Sequence, residues 1–158
     1  MPHPQTQPDS DAHPAGPLPL HQFLTYRLSR VQAKLNAQAT RLLRDTSGIT
    51  LAQWRVIALI GAAGQTRLSA LAREAALDKG LVSRNLKTLI GDGLVSTRTD
   101  DSDHRAQILQ LTRTGQDIYE RTLPIMQARQ KRLRDGLSET ELESFRRVLD
   151  HLEIAAEE

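Results

Sequence analysis

From Leu20 the apolar residues recur at Leu24, Leu28, Val31, Leu35, Ala39 and Leu42. Steps of three and four keep them on one helical face, so the spacing predicts a long amphipathic helix over about 20–45. Arg27, Arg30, Lys34, Arg41 and Arg44 fall mostly off that stripe, and Gly48 ends the unit. Thr50 and Gln53 then have capping-box spacing, in which each side chain satisfies an orphan backbone donor of the other. They open a second helix over about 51–63, closed by Gly64. Thr66 is expected to cap a short third helix, about 67–75, with Leu68, Leu71, Ala72 and Ala75 inward. After a tight connection through Ala76 and Leu77, Asp78 is a good N-cap for a fourth helix. It covers about 79–90 with Val82, Leu86, Leu89 and Ile90 inward.

The period then changes. Leu94–Arg98 and Ala106–Leu111 have the pattern of two paired strands, and the wholly polar Thr99–Arg105 between them reads as the long tip of a hairpin. Two short helices joined by a tight turn and followed by such a hairpin make a winged helix-turn-helix. Thr112 caps a fifth helix reaching about 134, with a kink expected at Pro124, where a backbone donor is lost. Ser138 and Glu141 form a second capping box. In the helix that follows, Leu142, Phe145, Leu149, Leu152 and Ala156 step as a heptad seam two heptads long. A seam this short packs on another helix, in the same chain or in a second copy. The fold class is mainly α with a small β-hairpin wing.

Composition narrows the picture. The chain has 158 residues, 21 basic and 19 acidic, with a formal charge of +2. Six of the seven prolines lie within residues 1–19, so 1–17 reads as a disordered Pro-rich tail. Five aromatic residues favour a Leu/Ala-rich helical core over a β-sandwich. The absence of Cys excludes disulfides, thiolate metal sites, Cys nucleophiles and thiol redox sensing. No apolar run approaches the roughly 20 residues a spanning helix needs, and no secretory leader is evident. A soluble cytoplasmic protein without membrane contact is expected. Charge is mildly basic in the middle and acidic towards the C-terminus, which permits nucleic-acid binding in the first two thirds.

With Val82, Leu86 and Leu89 inward, the opposite face of the fourth helix carries Lys79, Gly80, Ser83, Arg84 and Lys87. Arg offers two parallel donors to guanine, and Ser and Lys reach bases or phosphates. A solvated basic face is the plain alternative; the hairpin directly after it favours DNA. At the hairpin tip Arg105 stands among Asp100, Asp101 and Asp103. Either Asp101 or Asp103 pairs with it at the surface, or Arg105 enters a minor groove with an aspartate orienting it. The tip lacks the glycine and distal glutamate of a calcium loop. No phosphate loop, nucleophile elbow or zinc-protease motif is present, and no two histidines share ligand spacing. No catalytic residue, metal or cofactor is therefore assigned.

From about Leu18 to Ile154 the chain resembles the MarR family of multiple-antibiotic-resistance-type regulators. The resemblance is carried by Leu51–Val56, Leu68–Ala72, Leu77–Arg84, Gly93–Val95, the wing segment Asp101–Ala106 and Leu111-Thr112-x-x-Gly115. It implies one domain over 18–158, with the winged helix at about 50–112 and dimerisation helices at about 20–46 and 113–156 that interlock in a homodimer. It implies that Lys79, Ser83, Arg84 and Lys87 lie at the major groove of double-stranded DNA and Arg105 in the flanking minor groove. Ser69 and Arg73 would hold phosphates, with Asp101 and Asp103 supporting the wing. Many relatives have two small hydroxyl residues where this chain has Gly80-Leu81, so their operators do not transfer. The resemblance also implies a small, often aromatic and anionic effector, for which His21, Phe23, Arg27, Trp54 and Arg55 are the candidate lining; Phe23 and Trp54 as plain core residues are the competing reading. The function expected is a sequence-specific repressor of a pseudo-palindromic operator. The alternatives are an architectural DNA-binding protein without a ligand, or a purely structural dimerisation module.

Overall fold

The computed structural model describes residues 18–75 and 78–157, so the expectations for the tail 1–17 and for the turn through Ala76 and Leu77 lie outside the described residues. A 3-10 turn, Leu20–Gln22, precedes α1 (Leu24–Thr46). Then follow α2 (Leu51–Ala63), β1 (Gln65–Arg67), α3 (Leu68–Glu74), α4 (Lys79–Gly91), β2 (Val95–Thr99), β3 (Gln107–Leu111), α5 (Arg113–Arg134) and α6 (Glu139–Ala155). The chain divides into two units at Ala37–Gln38.

In the described part of the first unit, residues 18–37, no side chain is buried. Leu20, Leu24, Leu28 and Val31, the stripe that the spacing picks out, are between 37% and 62% exposed.

The second unit holds the core. Leu43 at the end of α1, Val56, Ile57 and Ile60 of α2, Leu71 of α3, Val82 and Leu89 of α4, Val95 of β2 and Leu109 of β3 are all nearly inaccessible. Helix α2 is central and packs on α3, α4, α5 and the sheet. Its start is fixed by the expected capping box: Thr50 Oγ1 accepts the Gln53 N–H at 3.1 Å, and Gln53 Oε1 accepts the Thr50 N–H at 2.9 Å. The second box also forms. Ser138 Oγ accepts the Glu141 N–H, and the Glu141 carboxylate accepts the Ser138 N–H and hydroxyl. Those two bonds hold the Glu141 carboxyl below its usual range. Helix α5 runs through Pro124 as one element.

The wing has three strands, where two are expected from the sequence. Their order is β1-β3-β2, all antiparallel, with Thr66 opposite Leu109 and Thr97 opposite Leu109 on the other side. Thr66 is thus a strand residue and not the cap of α3, whose N-cap position is Arg67, which makes no side-chain capping bond. Ile90, expected inward, is 37% exposed. Along the seam of α6, Leu142, Leu149 and Leu152 are half-buried, Phe145 is 55% exposed, and α6 has no buried residue.

Candidate nucleic-acid interface

Helix α4 begins at Asp78, whose carboxylate accepts the backbone N–H groups of Gly80 at 2.8 Å and Leu81 at 3.1 Å. This cap sets the rotation of the helix. Val82, Leu86 and Leu89 turn into the core, and Lys79, Ser83, Arg84 and Lys87 turn to solvent. On α3, Leu71 is buried and Ser69 and Arg73, one turn apart, are exposed. A groove of about 800 Å³ runs between α3, α4 and the wing. Ser69, Arg73, Lys79, Ser83 and Arg105 all line it, with Arg67 and Asp103, over a floor of Leu68, Ala72, Val82 and Ala106. The structure therefore gathers residues from three separate elements onto one face. Arg84 and Lys87 lie on the same helix outside that groove.

Among the described residues no carboxylate comes within ion-pair distance of Arg73, Lys79, Arg84, Lys87 or Arg105. Their charge is uncompensated and available to phosphate and base acceptors. Lys79 sits in the first turn of α4, where the helix dipole adds to the attraction for anions.

The wing tip is built differently from its expectation. Asp101 approaches Arg98 at 3.6 Å, and Asp103 accepts the backbone N–H of Arg105 at 3.1 Å; neither pairs with the Arg105 guanidinium. The structural carboxylate is Asp100, 7% exposed and in contact with Arg67. Its carboxyl is lowered from an ordinary 3.8 to about 2. The backbone and hydroxyl bonds from Ser102 do most of this, burial opposes them, and Arg67 adds to them. Asp100, Ser102 and Arg67 were not legible as a set, because three aspartates in one polar loop look alike and Gln65–Arg67 is too short to show a period. Among the described residues no group of His, Asp and Glu side chains could hold a metal ion.

The five residues considered for a ligand fall in both units. His21, Phe23 and Arg27 are exposed in the first. In the second, Trp54 is buried and stacked on Tyr119, with centroids 6.2 Å apart and planes at 22°, and Arg55 is half-buried.

Residues 47–106, which span α2 through the wing, match the family model described as the MarR family. That segment, from α2 through the wing, resembles the MarR family. Over 128 residues, 81% of this chain and 76% of the relative, the chain is 24% identical to the HTH-type transcriptional repressor IacR of Pseudomonas putida. A solved structure of mutant MarR from E. coli, complexed with operator DNA, is 25% identical with a TM-score of 0.64, covering 80% of this chain and 93% of that one. BpsR of Bordetella bronchiseptica, whose DNA binding is regulated by 6-hydroxynicotinic acid, has a TM-score of 0.76 at 22% identity. That likeness covers 87% of this chain and 98% of BpsR and concerns the fold. No helix among the described residues is long and apolar enough to cross a membrane.

Proposed function

We propose that this chain is a homodimeric repressor of the MarR type that reads a pseudo-palindromic operator and leaves it when a small aromatic acid binds. The observation that carries the DNA reading is the convergence of Ser69, Arg73, Lys79, Ser83 and Arg105 on one groove with uncompensated charge. In this reading the outward side of α4 enters the major groove. Arg84 and Lys79 meet base edges, Ser83 and Lys87 meet bases or phosphates, and Arg105 enters the flanking minor groove. Ser69 and Arg73 hold phosphates and set register.

The dimer reading is supported by apolar side chains that one chain leaves in water. Leu20 and Leu24 at the start of α1, and Phe145, Val148 and Ile154 on α6, are each about half exposed or more. Exposed apolar surface of this extent on regular helices marks a contact with another helix, and a second copy supplies one with closed symmetry. The effector reading is supported by the relative regulated by 6-hydroxynicotinic acid and by Arg27 and Arg55 as carboxylate partners. An effector acts by binding one dimer geometry better than the other, which shifts the spacing of the two α4 helices.

The test is a binding selection on fragmented source-genome DNA with the purified protein at fixed, near-physiological salt. A few fragments sharing an inverted repeat, preferred over random DNA by more than about 1,000-fold, support the repressor reading. Uniform recovery supports an architectural protein and removes the effector. The half-site sequence should differ from those of relatives, because Gly80-Leu81 offers no hydroxyl contacts at the start of α4.

A further inference from the structure

The base of the wing is tied to β1 by a side-chain cluster that DNA contact does not require. Arg67, the last residue of β1, places its Nη2 at 2.6 Å from Asp100 Oδ2. The other oxygen of Asp100 accepts the backbone N–H of Ser102 at 2.9 Å and its hydroxyl at 2.7 Å. The backbone N–H of Asp100 donates to the carbonyl of Ala106 at 2.9 Å, which closes the loop. Inside the loop, the Ala106 N–H donates to the Asp103 carbonyl at 2.8 Å, and Arg105 lies within that turn.

These bonds form a chain of fixed geometry from α3 to the wing tip. Arg67 immediately precedes α3, so whatever holds Arg67 to Asp100 also holds the wing relative to Ser69 and Arg73. Asp100 is 7% exposed, and a carboxylate that far from water keeps its partners, because losing one leaves a desolvated charge unsatisfied. Arg67 is half exposed, so the attraction between the pair is screened and contributes modestly to stability. Its main effect is directional: it removes the swing of the loop that carries Arg105.

We infer that Asp100, held by Arg67 and Ser102, is a positioning residue that aims Arg105 at the minor groove. This rests on the reading of Arg105 given above. A loop already ordered in free protein gives up less conformational freedom on binding than a loose one, so affinity is gained without any added DNA contact.

A double-mutant cycle tests this, with the inverted-repeat fragment from the selection titrated by fluorescence anisotropy. Arg105→Ala should weaken binding about tenfold, as loss of one good groove contact does. Asp100→Asn should weaken it about fivefold through lost preorganisation. That sign is informative, since removing a negative charge near DNA would by itself tighten binding. In the Arg105→Ala background, Asp100→Asn should have no further effect, because the aimed side chain is gone. Base preference beneath α4 should be the same in all variants. If the two losses simply multiply, or if Asp100→Asn binds as tightly as the parent, the inference is overturned and the Arg105 reading stands. If Arg105→Ala itself leaves affinity unchanged, the minor-groove reading fails and takes the inference with it. Should Asp100→Asn not fold, Ser102→Ala replaces it in the same cycle. Ser102 is exposed, and the loss of its hydroxyl should weaken binding about twofold with the same non-additivity.

Discussion

The hydroxyl of Thr112 donates to the carbonyl oxygen of Gly93 at 2.6 Å and, in the same position, accepts the N–H of Gly115 at 3.1 Å. One side chain thus caps α5 and binds the turn between α4 and β2. A Cβ at Gly115 would overlap the carbonyl oxygen of Leu94, so the helix approaches the strand only with glycine there. The Leu-Thr-x-x-Gly pattern is a packing device that joins the wing to α5. Thr112→Ala should cost about 1 kcal/mol, as loss of an N-cap does. Gly115→Ala should cost about 3 kcal/mol, because backbone must move. Urea unfolding followed by circular dichroism measures both, and equal small effects would contradict this account.

Arg84→Ala should relax base preference at one position per half-site, costing about 1–3 kcal/mol on the preferred sequence and little on others. Arg73→Ala should weaken all sequences alike and reduce the salt slope of binding by about one phosphate. Titrations of preferred and scrambled duplexes at several salt concentrations separate the two behaviours.

The lowered Asp100 carboxyl fixes a direction for acid stability. A group whose folded pKa lies below its unfolded value stabilises the fold fully above the unfolded value, here 3.8, and loses that contribution as pH falls through about 2. The unfolding midpoint should therefore drop over that interval, and Asp100→Asn should make the profile shallower there. Thermal melts across pH 2 to 5 would show an identical slope in both proteins if Asp100 carried none of this dependence.

Thr122 of α5 is 1% exposed, and its hydroxyl has no hydrogen-bond partner among the described residues. Replacing a buried, unpaired hydroxyl by a methyl group of the same shape removes a desolvation cost. Thr122→Val should stabilise the protein by about 1 kcal/mol, read as a rise in denaturant midpoint at constant slope.

Phe145 on α6 is 55% exposed beside half-buried Leu142 and Leu149. If the proposed dimer forms through α6, Phe145→Glu should convert it to monomer and weaken operator binding, while helix content is kept. Sedimentation equilibrium decides it: a variant that remains dimeric would place the dimer contact elsewhere.

The helices were legible because what starts and stops them is local. Thr50 and Gln53, Ser138 and Glu141, and Asp78 with Gly80 and Leu81 act across two or three residues, within sight of any window on the sequence. The outward set on α4 was legible for the same reason, since helical period fixes Lys79, Ser83, Arg84 and Lys87 once Val82 and Leu86 point inward. What the tertiary structure alone decided was pairing at a distance. Thr66 reads as a cap until β3, more than forty residues on, offers its edge, and an edge with unpaired backbone groups captures the three residues as β1. Arg67 and Ser102 are 35 residues apart, and nothing in their neighbours marks Asp100 over Asp101 or Asp103 as their partner. That choice depends on which carboxylate leaves β2 on the side of the sheet where Arg67 stands, a matter of register and pleat that exists only once the strands have met.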